Sequence, residues 1–192
     1  MNIPNKYTKT AIALHWIIAL LIIGNAVLGQ LFNHISDDNI RTAIDTHKSI
    51  GITVLGLVIM RLLWRATHQP PTLPASHARW EIMGAKIGHA ALYVLMIALP
   101  ISGWMHDSAW KDAAAHPMSL FGLMPWPRIA MIATIEPISK EHLHDLFGAM
   151  HTWFGYVLYG VLTLHISGAL KHQYFDAHSD KRRGMLPVLG KK

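Results

Sequence analysis

With 192 residues, 52% hydrophobic and 15% charged, the chain suits one domain and is too poor in charge for an ordinary soluble one, where about a quarter of residues are charged. It has 14 histidines and no cysteine, which excludes disulfides, covalent Cys-x-x-Cys-His attachment, iron–sulfur clusters held by thiolates and cysteine nucleophiles. The net charge of +6 is neither gathered in one patch nor interleaved with aromatics, so nucleic acid is not expected as a partner.

Four segments are long and apolar enough to cross a hydrocarbon core of about 30 Å as helices. The first covers residues 11–31 and carries no charge. Lys6 and Lys9 precede it as in a secretory signal, but its apolar run is long and no Ala-x-Ala-like site follows, so it reads as a retained helix. The second covers 44–64, with charged ends around an apolar centre at 50–60; the third covers 87–104 and the fourth 146–170. The connection 105–145 contains Leu120-Phe121-Gly122-Leu123-Met124-Pro125-Trp126-Pro127, a composition suited to the membrane interface or to packing on the helix ends. The expected fold is an all-α membrane protein, a four-transmembrane-helix bundle forming a single domain over 1–192, in contact with lipid.

The basic residues set an orientation. The N-terminus, the second connection and the C-terminal tail hold 12 cations against three acids, whereas the opposite loops hold five cations against eight acids. Positive charge collects in cytoplasmic loops, so both termini are expected in the cytoplasm.

Ionisable side chains inside membrane helices are costly and mark function. His15, His47, His89, His151, His165 and His172 fall in or at the edges of the spans; His34, His68, His77, His106, His116, His142, His144 and His178 read as solvated loop or terminal residues. His151 and His165 are 14 residues apart, close to four whole turns, which puts both rings on one face about 21 Å apart along the axis. Two metal centres at different depths need that spacing. His15 starts helix one at the inner level and His47 starts helix two at the outer level. Four histidines therefore sort into level-matched pairs, His15 with His165 and His47 with His151, each able to grip one haem iron axially from two helices. The same offset from His15 reaches Gly29, where a missing side chain would leave room for the outer porphyrin. From His47 it reaches Arg61, whose guanidinium could pair with an inner haem propionate. Helix packing and snorkelling are the plainer readings of these two. His89 is expected to hydrogen-bond a propionate or a quinone, and His172 to serve a quinone headgroup or simply to sit at the interface.

These stretches together resemble the bacterial cytochrome b561 family of membrane di-haem cytochromes. The resemblance rests on Ala13-Leu14-His15-Trp16, Thr46-His47-Lys48-Ser49-Ile50-Gly51, Val58-Ile59-Met60-Arg61-Leu62-Leu63-Trp64-Arg65 and Gly88-His89-Ala90-Ala91-Leu92-Tyr93. It continues through Pro100-Ile101-Ser102-Gly103-Trp104, His151-Thr152-Trp153-Phe154-Gly155-Tyr156, Leu164-His165 and Ala169-Leu170-Lys171-His172. It implies two non-covalent b haems bound at His15, His47, His151 and His165, a location in the bacterial inner membrane, and ubiquinone as electron partner. Some members resemble superoxide oxidases, which pass an electron from outer superoxide to ubiquinone; others serve dedicated partner proteins. Thr152 stands where the family often has an acidic residue, and Gln173 where a second histidine is frequent; the latter weakens the carry-over of a quinone site.

The resulting expectation is transmembrane electron transfer by bis-histidine centres, which suit one-electron passage. Lys48, Arg41 and Arg128 could attract superoxide locally, although the outer loops are net acidic. Two other classes compete. A di-iron enzyme would need clustered histidines, where only His142-Leu143-His144 is clustered. A zinc or copper carrier, with His142, His144 and Asp145 at its entry, leaves the 14-residue spacing unexplained.

Overall fold

The computed structural model describes residues 6–69, 71, 79–174 and 185, with side chains in the last helix described through Lys171. Its elements are α1 (Lys9–Gln30), a 3-10 turn (Phe32–His34), α2 (Asp37–Thr67), α3 (Arg79–Ser108), the short strands β1 (Ser119–Leu120) and β2 (Met124–Pro125), α4 (Ala130–Ala133) and α5 (Pro137–Tyr174). Four of the helices, α1, α2, α3 and α5, are long and apolar enough to span a membrane.

Each spanning helix begins before the segment expected from hydropathy, and for three of them local chemistry at the first turn shows why. Thr8 caps α1, its hydroxyl accepting from the Ala11 amide at 3.2 Å. Asp37 and Asp38 occupy the first turn of α2, where carboxylates complement the helix dipole. Before α5, the Glu136 carboxylate accepts from the Ile138 amide at 3.3 Å and the Ser139 amide at 2.9 Å. Pro137 then opens the helix, where its missing N–H costs nothing. The Ser139 hydroxyl and then its amide hold the exposed Glu136 carboxyl below its ordinary pKa.

The helices pack in sequence: α1 on α2, α2 on α3, and α3 on α5. Ile18, Val54 and Val58 form one buried cluster, against which Ile22, Tyr93 and Met96 pack; Leu92, Leu95 and Leu158 form a second. Many outward side chains are large and apolar, such as Leu20 at 66% exposure, Leu63 at 65% and Leu164 at 74%. A monomer in water rarely shows so much apolar surface; lipid supplies its complement.

The two ends of the bundle differ. One carries the start of α1 and the end of α5, and is called the termini end below. The opposite, loop end is closed by the α3–α5 connection. There the Asp107 carboxylate, 8% exposed, accepts from Lys48 Nζ at 3.0 Å and from Arg128 Nε at 2.9 Å. Arg128 also donates to the Ala113 and His116 carbonyls, both at 2.7 Å. The hairpin between β1 and β2 turns through Phe121 (φ 51°) and Gly122 (φ 69°). Glycine adopts that region freely and phenylalanine does not. The Phe121 amide is anchored by a 2.9 Å bond to the hydroxyl of Ser49 on α2, which is fully buried.

Candidate haem-binding tiers

The structure brings together the pairs expected from spacing. The His47 and His151 rings have centroids 6.0 Å apart near the loop end, and the His15 and His165 rings are 6.4 Å apart near the termini end. A metal–imidazole bond is about 2 Å, so an ion gripped between two facing rings sets their centroids roughly 6 Å apart. Among the described residues no group of three or more His, Cys, Asp or Glu is placed to hold a metal ion. Two facing imidazoles therefore suit a group that brings its own equatorial donors.

At the loop-side tier both rings are oriented from behind. His47 Nδ1 donates to the Asn25 carbonyl of α1 at 3.2 Å. His151 Nδ1 lies 3.0 Å from the Leu99 carbonyl and 3.1 Å from Ser102 Oγ, and the Ser102 hydroxyl itself donates to Leu99 at 2.9 Å. A carbonyl only accepts, so in each ring Nδ1 carries the proton and Nε2 keeps its lone pair for a metal. Glycines make the seats. A Cβ on Gly29 would fall 3.2 Å from His47 Cε1, and one on Gly103 would fall 3.1 Å from His151 Cε1. The gap at Gly29 thus admits the His47 imidazole, and Gly29 also lines the open space of this tier, where sequence had suggested room for a porphyrin. A cavity of about 730 Å³ joins these residues and is lined largely by apolar side chains, among them Ile22, Val54, Met96 and Leu158. Space, donor set and ring separation fit a porphyrin there.

The termini-side tier is built differently. His165 lies 5.2 Å from the ring of His89 as well as 6.4 Å from that of His15. Arg61 Nε donates to Tyr93 Oη at 3.0 Å and its Nη1 to the Ala11 carbonyl at 3.3 Å. A recess of about 30 Å³ beside it is lined by Tyr7, Thr8, Arg61, Trp64 and Tyr93. Burial pushes the Tyr7 phenol above its ordinary pKa, against the pull of Arg65 and Arg61. The side chain of His172 lies outside the described residues, as do His77 and His178.

Two readings from sequence change. His106 and His144, taken as solvated loop residues, lie on α3 and α5, half buried and stacked at 3.8 Å. A signal was present: Gly-x-x-His occurs at 103–106 and again at 148–151. On antiparallel neighbours this motif seats each histidine on the other helix's glycine. The cations expected to attract an anion are also engaged, Arg41 with Asp45, Lys48 with Asp45 and Asp107, and Arg128 with Asp107.

The comparisons with known proteins agree with this architecture. The family model described as prokaryotic cytochrome b561 matches residues 6–187. The chain is 31% identical over 192 residues to cytochrome b561 homolog 2 of Escherichia coli (strain K12), covering 99% of this chain and 94% of that one. It is 25% identical over 183 residues to cytochrome b561 homolog 1 of the same organism, covering 94% and 97%. It is 28% identical over 176 residues to the probable superoxide oxidase CybB of Yersinia pestis, covering 88% and 89%. Bis-histidine pairs in a four-span bundle, and a family match across nearly the whole length, place the chain in the prokaryotic cytochrome b561 family, a membrane cytochrome family that implies haem b.

Proposed function

We propose that this single-domain chain carries electrons across the bacterial inner membrane through two b haems, one at each tier, and delivers them to membrane quinone. Bis-histidine haem supplies one-electron chemistry with no open coordination position. His47 and His151 would hold the loop-side iron, His15 and His165 the termini-side iron. The observation that carries the reading is the loop-side pair: two imidazoles 6.0 Å apart, each with Nδ1 tied to a carbonyl of another helix, across a cavity of about 730 Å³. His151 and His165, on one face of α5, set the tiers about 21 Å apart. The charge bias of the loops supports termini in the cytoplasm, which makes the loop end the donor side. Arg61 and His89 flank the termini-side pair, placed to meet a propionate or a quinone headgroup; His172 follows about two turns beyond His165 along α5.

Superoxide as the electron donor is supported by the similarity to a relative named as a probable superoxide oxidase. Arg41, Lys48 and Arg128 do little for it, because each is ion-paired with Asp45 or Asp107, which leaves a single net positive charge among the five. A dedicated partner protein at the loop end is the alternative donor. Superoxide-dependent reduction of ubiquinone by the haem-loaded chain separates the two, and its absence at normal haem content removes superoxide alone.

The test of the whole reading is a reduced-minus-oxidised spectrum with haem counted per chain, in the native protein and in His151→Ala and His165→Ala. Two haems are expected, each variant losing a different one. A single haem, or both variants perturbing the same one, rejects the two-tier arrangement.

A further inference from the structure

The cavity at the loop-side tier holds a second pair of histidines that ligation does not use. His106, near the end of α3, and His144, two turns into α5, stack with centroids 3.8 Å apart and planes 19° apart. Their Nδ1 atoms are bound reciprocally: His106 Nδ1 donates to the His144 carbonyl at 2.9 Å, and His144 Nδ1 to the His106 carbonyl at 3.0 Å. Gly148 makes this approach possible, since a Cβ there would lie 2.9 Å from His106 Cε1. Both Nδ1 atoms must therefore carry hydrogen, and both Nε2 atoms keep lone pairs in a fixed geometry. His106 and His144 line the same cavity as His47 and His151.

A b-type porphyrin brings two carboxyl groups on one edge, and an ionised carboxylate buried without a partner is costly. At this end Lys48 and Arg128 bond Asp107, and Arg41 bonds Asp45 through Nε while its guanidinium lies 5.0 Å over the Trp110 ring. Besides His47 and His151, the stacked imidazoles line the cavity with Nε2 acceptors that have no partner among the described residues. Resting on the haem reading above, we infer that the His106–His144 stack receives a propionic carboxyl group of the loop-side porphyrin. A propionic acid group there would give its carboxyl proton to Nε2 of one ring, leaving a carboxylate and an imidazolium with no change in total charge. The second ring, in face contact, stays neutral, because two cations so close would repel. Asp107 and Asp145 face His106 with negative charge, and Lys48 and Arg128 bond Asp107.

The test is reconstitution of the full chain with haem b or with its dimethyl ester, which removes both carboxyl groups. The native chain is compared with the double variant His106→Asn/His144→Asn. Asparagine keeps a donor near the Nδ1 position and removes Nε2. In the native chain the ester is expected to shift the loop-side midpoint potential and to leave that site roughly tenfold faster, the scale of one charge-assisted hydrogen bond. In the double variant, ester and free acid are expected to behave alike at that site. The termini-side haem of the same sample reports folding; where the double variant loses it, the single variant His144→Asn carries the comparison. An ester effect undiminished in the variant overturns the inference while leaving the two-tier reading intact. A native chain that binds no haem at the loop-side tier overturns both.

Discussion

The two tiers each pair one histidine from the same face of α5 with a histidine of another helix, yet they are built to different degrees. At the loop end His47 and His151 are each fixed by a carbonyl behind and a glycine beneath, around a cavity of about 730 Å³. At the termini end His15 and His165 are near neighbours of a third histidine, and the adjoining recess measures about 30 Å³. The difference shows where tertiary bonding has been invested. A ligand whose second nitrogen is already committed presents one tautomer and one orientation. The loop-side tier is therefore preformed, and in the proposed function its neighbour would depend more on a bound haem for its order.

The largest effect that would break this contrast comes from Asp107. Asp107→Ala leaves Lys48 and Arg128 half-paired in a mostly buried position, a change that costs about 3–5 kcal/mol. Loop-side haem should be lost with it while the termini-side component survives, as read by thermal unfolding beside the haem spectrum. Equal loss at both tiers would mean that the loop clamp supports the whole bundle. Next is Gly103→Val. Its Cβ would meet the His151 ring at 3.1 Å, and overpacking of this kind costs about 1–3 kcal/mol. Haem titration should show roughly tenfold weaker loop-side binding, with the termini-side band unmoved.

Ser102→Ala is subtler. His151 Nδ1 keeps its bond to Leu99 and loses the one to Ser102, so affinity should fall by about tenfold, the low end for an outer partner of a metal ligand. A shift in the loop-side midpoint potential should accompany it, which a purely structural role for this hydroxyl would not produce. The smallest effect concerns Glu136, outside both tiers. Its carboxyl has a folded pKa below the unfolded value, so its contribution to the first turn of α5 is present above the unfolded pKa and is lost as pH falls through the folded one. Hydrogen-exchange protection at Ile138 and Ser139 should drop over that acidic window, and Glu136→Ala should show the low protection at every pH.

Much of this was legible in the residues. Hydropathy located the four spans, since a chain in hydrocarbon must satisfy its own backbone and helices do so within one segment. It missed their ends: α2 begins at Asp37 and α5 at Pro137, well before the apolar runs at 44 and 146, because capping and dipole effects act outside the hydrocarbon. The 14-residue interval between His151 and His165 located two levels, and the alternation of chain direction sorted His15 and His47 onto them.

What the sequence by itself determined, then, was whatever a regular helix converts from spacing into position: span, level, facing and the pairing of imidazoles. Only the tertiary structure decided which atoms stand behind each ring. The carbonyls of Asn25 and Leu99, the seats at Gly29, Gly103 and Gly148, and the His106–His144 stack all depend on how closely two helices cross and at what register. Helical periodicity is a property of one chain segment, and a crossing is a property of two, fixed by side chains far apart in sequence.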